Sequence, residues 1–217
     1  MTIELYVFPP SPRAFKVMAV ANHLGLDTTL RFVDLRKGDQ KKKDYAALNP
    51  NMRMPTLKHG DFVLWEANAI TQYLASLRPE SGLLPRNERA RLDVTRWQFW
   101  DLAHWDSTAA VFAFEYVVKP RLLVINEPDS AAIAKATELF HRAAQVLNDQ
   151  LAGRKFVTGD TLTVADFSLG ASMNLAELAH FPIEPYGEIK RWHRTLSALP
   201  AWQRTMAQAN EPAATAA

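Results

Sequence analysis

The sequence predicts two structural classes in one chain: a mixed α/β unit with a four-stranded sheet, then an all-helical unit. Three observations carry this. Over residues 1–77 strand and helix signals alternate in the order β-α-β-α-β-β-α. A turn-rich stretch follows, Arg78-Pro79-Glu80-Ser81-Gly82 with Pro85 close behind. Beyond it strand signals nearly vanish and apolar residues recur at helical spacing. The expected division is therefore 1–77, a linker over 78–88, and a helical domain over 89–217.

Each element of the first unit has a local cause. Ile3 to Phe8 is a run of β-formers stopped by Pro9, Pro10 and Pro12. Ser11-Pro12 is a helix start, since Ser suits the cap and Pro the first helical position. Phe15, Val17, Met18, Ala21 and Leu24 then repeat at helical spacing up to Gly25. Thr28 to Leu35 reads as a second strand, and Lys41 to Leu48 as a short helix ended by Asn49-Pro50. Thr56 to Lys58 and Phe62 to Leu64 flank His59-Gly60-Asp61 as a hairpin. Glu66 to Leu77 closes the unit as a helix. One β-α-β arm implies a parallel pair, and the hairpin adds an antiparallel one, giving a mixed sheet with helices on both faces.

The second unit is predicted as a long helix over 87–119, rich in Trp and Phe, and a second over 130–151. A third covers 163–178, with shorter ones over 186–196 and 201–208. Thr163-Val164-Ala165-Asp166 fits a capping box, with Asp in the place of Glu or Gln. The tail from Asn210 to Ala217 is small and polar and is expected to fray.

Composition narrows the function. The chain has 217 residues, 48% of them apolar, which suits one large domain or two small ones. Lys plus Arg is 25 against 23 acids, and the longest basic run, Lys41-Lys42-Lys43, reads as a solvated helix face. No nucleic-acid footprint is present. No cysteine occurs, which excludes disulfides, Cys-ligated metal sites and redox catalysis by a protein thiol. No metal is expected. The opening Met-Thr-Ile-Glu-Leu-Tyr lacks a signal-peptide pattern, and no apolar run is long enough to span a membrane. The expectation is a cytoplasmic protein without membrane partners.

Four segments together resemble the cytosolic glutathione transferases: Ser11 to Val17; Asn49 to Pro55; Leu64 to Ile70 running into Gln72-Tyr73-Leu74; and Thr163 to Asp166. The likeness covers nearly the whole chain. It is closest to the serine-type classes, phi and theta, and their bacterial relatives. It implies a thioredoxin-like first domain that binds glutathione, a helical second domain, a homodimer, and a detoxifying transferase that joins the thiol to an apolar electrophile. The same scaffold also serves non-catalytic binding or regulatory proteins, and glutathione-dependent disulfide reductases or peroxidases.

On this resemblance Ser11 is the thiol-activating residue. A thiol is largely protonated at neutral pH, and a hydroxyl at a helix N-terminus favours the thiolate. Position alone reads Ser11 as a simple N-cap. A rival triad would use His23, which lies a helix length away, and no Gly-x-Ser-x-Gly elbow occurs. Pro55 is expected in the cis form, turning the Met54 backbone toward the cysteinyl part of glutathione. Glu66 would take the α-amino group, and the N–H groups at Ala67 the α-carboxylate. The family pair is Glu-Ser, so Ala67 lacks a hydroxyl, and the expectation is either weaker glutathione binding or compensation by Asn68 or Arg13. Gln40, Lys41 and Arg53 are the choices for the glycyl carboxylate. Phe8, Pro9, Trp105, Phe112 and Tyr116 are assigned to the electrophile pocket. Asp101 or Gln98 would reach across a dimer interface, and Asp166 is structural.

Overall fold

The computed structural model describes residues 2–210. The expected tail from Asn210 lies outside them except for Asn210 itself, which ends the last helix. They form two compact units: one holds the residues up to Ser81 together with those from Ala198 onward, and the other is Gly82–Ser197.

In the first unit β1 (Ile3–Val7), α1 (Pro12–His23), β2 (Thr28–Phe32), α2 (Lys43–Leu48), β3 (Thr56–His59), β4 (Phe62–Trp65) and α3 (Ala67–Ser76) follow in the expected order. The sheet order is β2-β1-β3-β4. β1 runs parallel to β2 and antiparallel to β3, and β3 antiparallel to β4. This is the mixed four-stranded thioredoxin-like sheet. Strand alternation sorts β1: Ile3, Leu5 and Val7 are buried, while Glu4 and Tyr6 alternate with them. Beneath the buried face α1 packs against α3. The second strand is shorter than expected, because Asp34 turns the chain. Its Oδ1 accepts from the Arg36 N–H at 2.9 Å and caps a tight 3-10 turn. Lys41 likewise falls in a 3-10 turn, Asp39–Lys41, rather than in α2.

The last helix, α9 (Pro200–Asn210), departs from the sequence expectation. It belongs to the first unit and packs on α1. The Trp202 ring meets Phe15 edge-on at 4.8 Å. Asn22 Nδ2 donates to Thr205 Oγ1 at 2.8 Å and to Gln208 Oε1 at 2.9 Å. The expected helical domain over 89–217 includes this helix: an amphipathic pattern shows that a face is buried, not what buries it.

The second unit opens with one helical run. It passes through α4 (Glu88–Trp100), a π-helical turn over Asp101–Trp105, α5 (Asp106–Ala113) and a π-helical stretch over Phe114–Leu123. Pro120 lies in that last stretch, where a missing N–H and a ring clash disfavour regular α geometry. Glu115 steadies it. Its Oε2 accepts from Lys119 Nζ at 2.6 Å and from the Asp129 N–H at 2.7 Å. α6 (Ser130–Leu151), α7 (Val164–Gly170) and α8 (Gly187–Ser197) complete the unit. Among the described residues no helix is long and apolar enough to cross a membrane.

Asp166 ties the second unit together. Its Oδ2 accepts from the Thr163 N–H at 3.0 Å, the return half of the capping box, and from Thr163 Oγ1 at 3.3 Å. Its Oδ1 accepts from the Val157 N–H and from Trp192 Nε1, each at 2.9 Å. The group is fully buried, and burial pushes its carboxyl up to about 6 against the pull of those donors. Asp166→Ala leaves four donors without their acceptor. Urea unfolding at pH 7 is expected to show a loss of about 3 kcal/mol or more.

His193 behaves oppositely. Burial pushes its imidazole down to about 4, so the fold holds it neutral. The unfolded chain takes up that proton first, and stability is lost as pH falls from about 6.5 toward 4. His193→Gln removes this contribution. Its acid-unfolding midpoint, followed by circular dichroism, is expected at lower pH than that of the parent chain. A midpoint that stays put or rises contradicts the assignment.

Candidate active site

Strand register gathers the candidate residues at one end of the sheet. Tyr6 pairs with Thr56, and Thr56 pairs with Trp65, so the three form one row. β1 leaves that row toward Phe8 and Ser11. β3 enters it from Met54 and Pro55. β4 leaves it toward Glu66. Three segments far apart in sequence thus meet beside one another, and antiparallel pairing is the cause.

Ser11 precedes α1 in extended conformation, with φ −75° and ψ 129°. Its N–H donates to the Phe8 carbonyl at 2.9 Å, and its carbonyl accepts from the Phe15 N–H at 2.9 Å. The hydroxyl does not cap the helix. Phe8 and Pro9, half-buried, form the turn leading into Ser11, and the Phe8 ring lies 5.9 Å from that of Phe32. Arg13 stands in the first turn of α1, half-buried.

The Met54–Pro55 peptide is cis. Pro55 is buried, Met54 half-buried and Arg53 exposed. The Arg53 carbonyl accepts from Tyr45 Oη at 2.6 Å and from Asn49 Nδ2 at 2.8 Å. Gln40 is half-buried and Lys41 exposed, both in the 3-10 turn after β2.

Glu66 is exposed at the start of α3, with φ 74° and ψ 114°. For a residue with a Cβ this backbone costs about 1–3 kcal/mol, and such strain concentrates at functional positions. The side chain does not cap α3 either. An unstrained acid would serve the helix dipole equally well, so the dipole alone does not account for Glu66. Ala67 opens α3 and is buried. Asn68, 7% exposed, accepts at Oδ1 from Lys16 Nζ at 3.3 Å, which ties α3 to α1.

Several expected contacts are corrected. Trp105 and Phe112 are 0% and 2% exposed, in the core of the helical unit. Trp105 Nε1 donates to the Leu169 carbonyl at 2.9 Å, and both rings pack on Phe140. They present no surface to a pocket. Gln98 donates to Ser168 Oγ at 2.8 Å inside the same unit, and Asp101 is wholly buried, so neither reaches an interface. The helical pattern identifies them as inward-facing, and burial follows from packing that the pattern does not specify. Tyr116 stays half-buried, its ring edge-on to His180 at 4.8 Å.

The sequence reading missed the partners beneath the loop of residues 50–55. Tyr45, Asn49 and Thr56 are all buried polar residues bonded to one another. The signal available was Asn49 just past the end of the short helix that carries Tyr45, ahead of Pro50. Two surface hollows lie elsewhere. One of about 450 Å³ is lined by Glu4, Thr29, Arg31 and Lys58 on the open sheet face, and one of about 380 Å³ by Trp100, His104, Leu139 and Arg142 in the helical unit. Neither includes Ser11. No cluster of metal-ligating side chains occurs among the described residues.

Comparison with known proteins shows the family. The N-terminal domain of the glutathione S-transferase family matches residues 1–76, and its C-terminal domain matches residues 130–195. The chain is 34% identical to glutathione S-transferase 3 of Zea mays over 212 residues, covering 94% of this chain and 93% of that protein. The apo structure of glutathione S-transferase III superposes with a TM-score of 0.86 at 31% identity, covering 98% of this chain and 99% of the other. The transferase URE2P6 from Phanerochaete chrysosporium, solved with oxidised glutathione, gives 0.84 at 26% identity over 96% of both chains. The chain belongs to the glutathione S-transferase family.

Proposed function

We propose that this chain binds glutathione at the Ser11–Met54–Glu66 end of its sheet and activates the thiol as a thiolate for attack on an apolar electrophile. The observation that carries this is the Ser11 hydroxyl, which stands at the N-terminus of α1 without serving as its cap. A hydroxyl so placed donates to a sulfur anion. Such a charge-assisted bond is worth about 1.5–3 kcal/mol, or roughly one to two pKa units on the thiol. The partial positive charge of the helix end acts in the same direction.

The remaining assignments follow the chemistry of the tripeptide. The Met54 backbone pairs with the cysteinyl residue as one strand pairs with another, beyond Thr56 where the ladder of β3 with β1 ends. Glu66 takes the α-ammonium. The N–H groups at Ala67 and Asn68 take the α-carboxylate, in a helix whose first donors have no intrahelical partner. Arg13 adds positive charge there. Gln40, Lys41 and Arg53 serve the glycyl carboxylate, and Phe8 and Pro9 offer apolar surface beside Ser11. Glutathione is the co-substrate, no metal is needed for this chemistry, and the cytoplasm, rich in reduced thiols, is the fitting compartment.

A homodimer belongs to the same reading. β4 is an edge strand whose Phe62 and Trp65 are 46% and 40% exposed, a surface that calls for a cover. Light scattering is expected to give a mass near twice 24.4 kDa, and a single-chain mass contradicts the assignment.

Ser11→Ala is expected to raise the pKa of the bound thiol by about one to two units and to lower conjugation of a chlorodinitrobenzene-type acceptor at pH 7 by about 10- to 100-fold. Because the hydroxyl does not cap α1, unfolding free energy is expected to change by less than about 0.5 kcal/mol. A pH–rate profile identical to that of the parent chain removes Ser11 from the mechanism.

A further inference from the structure

Beneath the proposed binding loop lies a closed set of buried hydrogen bonds whose protons can be assigned one by one. Tyr45 Oη donates to the Arg53 carbonyl at 2.6 Å. A phenol has one proton, so the 2.9 Å bond between Tyr45 Oη and Thr56 Oγ1 must run from Thr56 to Tyr45. Asn49 Nδ2 has two protons. One goes to the Arg53 carbonyl at 2.8 Å and the other to Thr56 Oγ1 at 3.0 Å. The Asn49 amide cannot be reversed, because its Oδ1 accepts from the Asn51 N–H at 3.0 Å and from Asn51 Nδ2 at 3.3 Å. Burial raises the Tyr45 phenol above its ordinary pKa and keeps its proton in place. Tyr45, Asn49 and Thr56 are 6%, 2% and 0% exposed.

The ring grips the chain on both sides of Met54. One acceptor, the Arg53 carbonyl, precedes it, and the other anchor, Thr56, begins β3. Apart from a turn in which the Met52 N–H donates to the Asn49 carbonyl at 2.9 Å, the loop has little else to shape it. Its ladder with β1 ends at Thr56, Pro50 and Pro55 have no N–H to donate, and Met52 turns with φ 52°. Asn51, Met52 and Arg53 are exposed above it. A buried polar ring under an exposed loop fixes the loop's shape more than it contributes to the core.

We infer that Tyr45, Asn49 and Thr56 are positioning residues that set the affinity of this chain for glutathione by holding the Met54 backbone in its binding shape. The inference rests on the proposed glutathione reading. It differs from a plain stability role in what it moves. A slack loop weakens capture of the tripeptide before and during reaction alike, and leaves the Ser11–thiolate contact intact once glutathione saturates. The signature is therefore a raised KM for glutathione with kcat nearly unchanged.

The test uses Tyr45→Phe and Thr56→Val, each of which breaks the ring at nearly constant volume, and Thr56→Ser, which keeps the hydroxyl. Asn22→Ala is the control: it cuts the α1–α9 bonds of the same unit, away from the loop. Titration calorimetry first measures glutathione binding to the parent chain. Tyr45→Phe and Thr56→Val are each expected to raise KM for glutathione about tenfold, with kcat at saturation within about twofold. Thr56→Ser is expected to stay within about twofold of the parent. The double variant Tyr45→Phe/Thr56→Val is expected to be little worse than either single change, because both open the same ring. Asn22→Ala is expected to lower Tm with KM unchanged. If the ring variants lower Tm while KM stays at the parent value, the positioning role is overturned and the glutathione reading stands. If the parent chain binds no glutathione, both fall. Thr56→Ser decides the case even where the valine variant does not fold, since a tenfold rise in its KM with the hydroxyl retained overturns the ring as the cause.

Discussion

The register of one row of residues, Tyr6–Thr56–Trp65, is the constraint on which the proposed site depends. Three chain segments enter or leave the sheet just beyond that row. One carries the hydroxyl, one the bent backbone at Met54, and one the acid at Glu66. A slip of a single residue in either pairing would turn Thr56 to the other face and displace a segment by about 3.4 Å, more than a hydrogen bond tolerates. The apolar alternation of β1 guards against this. Ile3, Leu5 and Val7 would all leave the core together if the register moved.

Unfavourable local features collect at that same end. Glu66 holds a positive φ, and the Ser11 hydroxyl forgoes the capping bond its position offers. Neither helps the fold by itself. The rest of the unit stabilises them: α9 locks α1 through Phe15–Trp202 and the Asn22 bonds, Lys16 joins α1 to α3, and the Tyr45–Asn49–Thr56 ring holds the loop. Such an arrangement keeps donors preorganised before a ligand arrives, which is where electrostatic stabilisation of an anion is most effective. The helical unit has its own node in Asp166, which answers to stability rather than to chemistry.

Much of this was legible in the residues. The β-α-β-α-β-β-α order of elements along the chain, the Ser11-Pro12 helix start, the Gly60 hairpin and the 130–151 helix all follow from periodicity and turn chemistry, which are local. The places where the sequence misled are those governed by distant partners. Nothing in residues 200–210 says that their apolar face covers α1 rather than the helices before it. The aromatic run over 97–116 shows that one side is buried, but not that Trp105 and Phe112 meet Phe140 instead of solvent. The positive φ of Glu66 and the proton order of the ring depend on backbone geometry that no residue type announces. The proposed site rests on likeness to a known family. Residue chemistry alone reads Ser11 as a cap, and the structure withholds the capping bond.

A crystal structure of the chain with reduced glutathione tests the central claim most directly. The account predicts the sulfur within hydrogen-bond reach of Ser11 Oγ, the cysteinyl backbone alongside Met54, and the γ-glutamyl ammonium at Glu66. Glutathione lying elsewhere, or with its sulfur turned away from Ser11 toward another donor, would contradict it.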